Sequence, residues 1–203
     1  MCFMNKIRTS LLLRKVIEGI DGDTVTVRQL TKALGYRALG LLIFIFAIPN
    51  IFIVMLIPGS SLILGVFLIF LSLQLVLRCQ KIFLPKVILE KKVLKNTLIH
   101  ILEKTRPYLE KIENSLKPRM EFLDKPFFQS ILGCVCVLLS VIIAMPLFLS
   151  NFLPGIALTL IGIGLIERDG LVILIGVAFG IVSSFLVLAM WTTLFNGAFH
   201  FLS

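Results

Sequence analysis

Three stretches of the chain contain no Asp, Glu, Lys or Arg: Ala38–Leu77 (40 residues), Pro126–Ile166 (41 residues) and Gly170–Ser203 (34 residues). A helix at the surface of a water-soluble domain carries a polar face, and runs of this length leave none. A transmembrane helix takes about 20 apolar residues, so each run has room for up to two crossings. Composition agrees: the chain is 58% hydrophobic with mean hydropathy +1.04, whereas soluble domains hold about 45–50% apolar residues. The expectation is an all-α integral membrane protein. At the N-terminus, "MCFMNKIRTSLLLRK" offers three consecutive apolar residues before Arg14 and Lys15, short of the roughly 7–15 of a cleavable signal. The segment is expected to be retained.

The charges lie between the runs. Residues 1–37 carry seven Lys/Arg and three acids, and residues 78–125 carry twelve and six. Both segments are expected on the cytoplasmic side by the positive-inside rule, so the run between them is expected to enter and leave on the same side. Five regions follow: cytoplasmic N-terminal amphipathic helices (1–37), a first membrane hairpin (38–77), a basic amphipathic cytoplasmic segment (78–125), a second membrane hairpin (126–169) and a C-terminal transmembrane helix with a tail (170–203). The surplus of cations is explained by topology and anionic lipid, so nucleic acid is not expected as a partner. "TVRQLTKALG" predicts a short helix with Thr26 as N-cap and Gln29 as its capping-box partner. In the middle segment Val87, Leu94, Leu98, Ile101 and Leu102 recur at helical spacing, followed by Leu109, Ile112 and Leu116. Two readings stay open there: helices on the membrane surface with lysines reaching lipid phosphates, or helices packed on the membrane bundle. His100 lies among these residues and is expected to be an ordinary interfacial side chain.

The first run is broken twice, at Pro49-Asn50 and at Pro58-Gly59-Ser60-Ser61, and the second run echoes it. "AIPNIFIVMLIPGSSLIL" from Ala47 and "AMPLFLSNFLPGIALTL" from Ala144 both read Ala-x-Pro, then Pro-Gly, offset by 97 residues at Pro49/Pro146 and 96 at Pro58/Pro154. Two matches at a nearly constant offset predict a structural repeat, and because both copies follow a basic segment the repeats are expected to be parallel. Only 11 residues separate Gly155 from Glu167, about 16 Å of helix. A turn at Pro154 would leave that arm too short to span, so either the turn lies earlier, near Pro146 to Asn151, or the hairpin is re-entrant. The re-entrant form is the favoured expectation. Broken backbone at membrane depth is tolerated where it is buried in protein or lines a polar cavity, and Asn50, Ser60, Ser61 and Asn151 are the side chains available to line one.

"LIERDGL" holds the last charges of the chain, Glu167, Arg168 and Asp169. Charge inside a membrane segment is paired, functional or interfacial. Here it is either a turn between two helices, with Gly170 in the C-cap conformation, or a partly buried pair facing the breaks, with Gln74 at about the same level in the first copy. Leu171–Phe195 is one good crossing with Trp191 near its far end. The four cysteines give no disulfide framework, and Cys134-x-Cys136 within an apolar run reads as packing. No catalytic residue, metal site or cofactor is assigned.

Together, "TVRQLTKALG", the Ala-x-Pro-Asn break, "PGSSLILG", "LSLQL", "LKPR" and above all "NFLPGIALTLIGIGLIERDGL" resemble the ExoD-type exopolysaccharide-synthesis proteins, from about Thr24 to Trp191. The resemblance implies a bacterial inner-membrane protein involved in exopolysaccharide production and, in some members, tolerance of alkaline conditions; no catalytic mechanism comes with it. The matching signature residues are Pro49, Asn50, Pro58, Gly59, Gln74, Pro118, Arg119, Asn151, Pro154, Gly155, Glu167, Arg168, Asp169 and Gly170. Phe83, in "RCQKIFLP", departs from the tryptophan that members often carry. No nucleophile elbow, phosphate-cradling glycine loop or cytosolic domain for a sugar nucleotide is present, so enzymatic activity is not expected. Two functions remain: a polar intramembrane site that binds or moves an ion or lipid-linked intermediate, or an assembly factor that docks polysaccharide synthesis or export proteins.

Overall fold

A computed structural model describes residues 17, 19, 22–52, 60–78, 83, 89–100, 103, 126–145 and 151–202. The elements are β1 (Thr24–Thr26), α1 (Val27–Leu34), α2 (Tyr36–Phe52), α3 (Ser60–Val76), β2 (Lys92–Leu94), α4 (Pro126–Ala144), α5 (Phe152–Glu167) and α6 (Gly170–Leu202). The chain is mostly helical, as the charge-free runs require. Two helices, α4 over Phe127–Ala144 and α6 over Gly170–Thr193, are long and apolar enough to cross a membrane, and α2, α3 and α5 are shorter apolar helices.

The five apolar helices pack in a crossed pattern. α2, from the first hairpin, lies principally against α5, from the second, and α3 lies principally against α4. Glycines set both contacts. A Cβ added to Gly40 would lie 2.7 Å from Leu165 Cβ, one on Gly162 would lie 3.1 Å from Phe44 N, and Gly155 sits beside Ile51. α2 and α5 are therefore antiparallel. In the other pair Gly65 abuts Ala144 and Gly133 abuts Val76, where an added Cβ would come within 2.5 Å of the backbone nitrogen. Small residues let helix backbones approach this closely, which is the main source of helix attraction where no hydrophobic effect operates between helices. Leu39, Ile43, Leu68, Leu71, Leu139, Leu158 and Ile161 fill the centre, and Phe46 stacks on Phe67 with centroids 5.4 Å apart. The Ser72 and Ser140 hydroxyls meet at 3.3 Å between α3 and α4, so neither is left unpaired in the apolar interior. Outside, Phe127, Leu138, Ile175, Phe185 and Leu188 are exposed, an apolar rim that suits lipid and not water.

Local signals at the N-terminus hold. Gln29 Oε1 accepts from the Thr26 N–H at 2.9 Å and from its hydroxyl at 2.8 Å, and Gly35, with φ +55°, joins α1 to α2. The small sheet is a departure from the expected helix pattern. β1 and β2 pair antiparallel with Thr24 opposite Leu94 and Thr26 opposite Lys92, so Leu94 belongs to a strand and not to the helical stripe predicted for it. Helix starts beyond it, and residues 95–100 are helical, Leu98 among them. Val87, Ile101, Leu102, Leu109, Ile112, Leu116, Pro118 and Arg119 lie outside the described residues.

The α3–α4 contact is open to test. Gly133→Ala places a methyl group against Val76 backbone and is expected to cost about 1–3 kcal/mol. Thermal unfolding in detergent should show a lowered midpoint, whereas Leu138→Ala, on the exposed side of the same helix, should leave the midpoint within a degree or two of the native value.

Candidate functional site

The antiparallel pairing gives the bundle two chemically distinct ends. At one, α2 and α4 finish and α3 and α5 begin. Asn50 is 1% exposed and Asn151 1% exposed, and Ser61, Pro154 and Gly155 are also buried there. Asn50 shares its helix face with Ala47 and Ile51, three residues before it and one after, both of which flank Gly155. Asn151 lies one turn before Gly155 and its carbonyl accepts the Gly155 N–H at 3.0 Å. The two asparagines thus come from different hairpins to the same end of the α2–α5 pair. Asn50 Nδ2 donates to the Phe46 carbonyl at 3.1 Å, and Asn50 Oδ1, buried, has no hydrogen-bond partner among the described residues. A buried acceptor left this way costs about 1–3 kcal/mol, which marks a place where a donor or cation would be welcome.

The prolines occupy different settings. Pro49 sits inside α2, where its missing N–H removes one helical hydrogen bond. Pro154 lies in the first turn of α5, where N–H groups have no helical acceptor in any case. No chain reversal occurs at Pro154-Gly155: α5 already runs from Phe152, so the turn lies before it, and the helix is 16 residues long where a count from Gly155 suggested 11. Pro58 and Gly59 lie outside the described residues; Ser60 opens α3.

The opposite end gathers the charged and amide residues. Gln74, buried, holds the backbone of Phe83 on both sides, donating to its carbonyl at 2.8 Å and accepting its N–H at 2.7 Å. Arg78 Nε donates to the Ser130 hydroxyl at 3.0 Å, and that hydroxyl donates to the Val76 carbonyl at 3.1 Å, tying the end of α3 to the start of α4. Glu167, Arg168 and Asp169 make the turn from α5 to α6. The left-handed residue there is Arg168, with φ +56°, and not Gly170, which begins α6. The Asp169 N–H returns to the Gly164 carbonyl at 3.0 Å, its Oδ1 accepts the Leu171 N–H at 2.9 Å, and its carbonyl accepts the Ile173 N–H at 3.1 Å. Asp169 is thus the N-cap of α6 and 3% exposed.

The predicted site residues therefore divide. Asn50, Ser61, Asn151, Pro154 and Gly155 converge at the break end, while Gln74, Glu167, Arg168 and Asp169 stand at the other, about 24 Å away along the 16 residues of α5. The structure does not bring Glu167 and Arg168 to face the breaks; a hairpin that returns the chain to its starting level carries the triplet away from them. Sequence reasoning also missed Arg37, buried at 6% in the first turn of α2, because it reads as the last charge of a basic flank.

The chain matches the family model "Exopolysaccharide synthesis, ExoD" over residues 9–189. It belongs to the ExoD family. Protein ExoD of Rhizobium meliloti (strain 1021) is 33% identical over 165 residues, covering 79% of this chain and 68% of that protein. An uncharacterized protein of Synechocystis sp. is 25% identical over 177 residues, covering 87% of this chain and 83% of that one. No solved structure matches it. Membership associates this ExoD-family chain with exopolysaccharide synthesis, and its apolar helices with a membrane.

The capping role assigned to Asp169 has a measurable consequence. Asp169→Ala should lower stability by about 1 kcal/mol through loss of the cap on α6, and Asp169→Asn should recover most of it. Comparison of unfolding midpoints for the three proteins reads this directly.

Proposed function

We propose that this protein is a multi-pass inner-membrane component of exopolysaccharide synthesis or export whose break end forms a polar site that binds or moves an ion or lipid-linked intermediate. The observation that carries this reading is the meeting of buried Asn50, Ser61 and Asn151 at one end of an otherwise apolar bundle, with Asn50 Oδ1 lacking a partner among the described residues. Polar side chains within a membrane bundle face its interior or a pathway. The chain acts in this reading by binding and not by bond-making, with no catalytic group of its own.

The helix lengths favour full crossings in this reading. α2 and α3 have 17 residues each, α4 has 19 and α5 has 16, about 24–28 Å against a hydrocarbon layer of about 30 Å. Each then traverses most of the bilayer, and the breaks sit close to its far face. Five crossings keep the N-terminus and residues 78–125 in the cytoplasm, beside anionic lipid. Parallel repeats fit the same geometry: α2 and α4 run in one direction, each pairs with the second helix of the other hairpin, and the chain after α3 and after α5 turns at a left-handed arginine, Arg78 and Arg168.

The test is substitution of Asn50 and Asn151 by Leu, separately and together, in a strain whose polysaccharide output depends on this chain. At equal protein abundance, output should fall at least fivefold for the double variant while Ser72→Ala, on the α3–α4 contact, keeps most of it; normal output from the double variant would remove the polar-site reading. A second reading is supported by the exposed Lys91 and Lys92 beside the small sheet: an assembly factor that presents this basic surface to envelope polysaccharide proteins. Replacement of Lys91, Lys92 and Lys95 by Glu should then abolish co-purification of such partners, and the asparagine variants should leave it intact.

A further inference from the structure

The end of α3 sets a level against which the chain that follows can be measured. Arg78 is the first charged residue after the run from Ala38, and it is exposed, with φ +50°. Its Nε donates to the Ser130 hydroxyl, which donates in turn to the Val76 carbonyl, so charge first appears beside the opening turns of α4. Phe83 comes five residues later in the chain, yet its backbone lies beside Gln74. Gln74 stands four residues before Arg78 on α3, about 6 Å nearer the middle of the bundle. The chain has therefore gone back toward the apolar layer by Phe83.

The way Phe83 is held points to a place that water does not reach. Gln74, 4% exposed, donates to the Phe83 carbonyl at 2.8 Å and accepts its N–H at 2.7 Å, the pair of bonds that a neighbouring strand would supply. In water both backbone groups would be satisfied by solvent. Outside a helix, backbone at membrane depth is tolerated only where protein satisfies it, and here a buried amide gives both its sides to one residue. The side chain is treated in the opposite way: Phe83 is 63% exposed, and Leu77 and Phe127 are exposed at the same end of the α3–α4 pair. Interfacial segments bury their apolar side chains about 5–10 Å into the boundary between headgroups and acyl chains. The displacement of Phe83 from the level of Arg78 falls in that range.

We propose that the chain after α3 re-enters the edge of the bilayer at Phe83, whose ring anchors among the upper acyl chains of the leaflet at the charged end while Gln74 holds its backbone. The partner is bulk lipid, and no headgroup is selected. The proposal rests on the reading that the bundle crosses the membrane, and it adds a depth to it: Arg78 stands at headgroup level and Phe83 just inside. It uses residues separate from Asn50 and Asn151.

Trp191 is the sole tryptophan of the chain, so Trp191→Phe gives a background in which one introduced tryptophan reports its own surroundings. Phe83→Trp and Leu138→Trp, the second exposed midway along α4, are each made on it in the full chain and placed in nanodiscs of phospholipid brominated either near the glycerol or near the methyl end of the acyl chains. The Phe83→Trp protein should be quenched at least twofold by bromine near the glycerol, less by bromine near the methyl end, and little by aqueous iodide. The Leu138→Trp protein should show the reverse order of the two lipids. Adding Gln74→Leu to Phe83→Trp should remove at least half of the bromine quenching and admit iodide. Quenching of Phe83→Trp by iodide alone, the mark of a ring in water, overturns the proposal, and so does quenching by neither agent, the mark of a ring covered by protein. Unchanged quenching with Gln74→Leu overturns the part given to Gln74; should that variant fail to fold, Phe83→Trp set against Leu138→Trp decides the proposal. Absence of bromine quenching in both tryptophan proteins overturns the crossing reading as well, whereas its absence in Phe83→Trp alone overturns only the anchor.

Discussion

The close approach of α2 to α5 is the contact on which the other features depend. Gly40 and Gly162 leave no room for a side chain between the two backbones, and this fixes both the separation and the antiparallel register of helices from different hairpins. In hydrocarbon a leucine is as well solvated by lipid as by protein, so packing of this kind, and not exclusion of apolar surface from water, holds helices together. The same register sets Asn50 opposite the start of α5. A shift of one turn would move the amide about 5 Å and separate it from Asn151.

The two ends that result have different chemistry because their polar groups solve different problems. At the charged end Gln74 is spent on the backbone of Phe83, Ser130 on that of Val76 and Asp169 on that of Leu171. These bonds close helix termini and fasten a connecting segment, the ordinary use of polar groups where a helix leaves an apolar phase. At the break end Asn50 uses only one side of its amide among the described residues. A group already committed to structure is a poor candidate for ligand contact, which is why the functional reading rests on Asn50 and not on Gln74 or Asp169.

Much of the fold was legible because lipid imposes simple rules on sequence. The charge-free runs, the capped helix at Thr26 and the long C-terminal helix could all be read from residue type and spacing, whereas Pro49, read as a break, lies inside the continuous helix α2. What was hidden depended on distance in the chain. β1 and β2 have three residues each, too few for a period to register, and exist because residues 24–26 and 92–94 meet. Gln74 gave no local sign that its partner was the backbone of Phe83. Gly170 was the natural residue for a left-handed turn, yet Arg168 takes it, since the Asp169 side chain is needed as a cap and the chain must reverse before it. Grouping of the triplet with the breaks failed for a related reason: position in a repeat says which residues correspond, and only the fold says at which face of the bundle they emerge.

The small sheet has a mechanical meaning for the first hairpin. β1 precedes α1 and α2, and β2 follows α3, so the pairing of Thr24 with Leu94 joins the two legs of that hairpin below the bundle, much as a clasp joins the ends of a bracelet. Gln74 adds a second fastening on the returning leg. Force applied to either flank of this half is carried across the clasp before it reaches the buried helices.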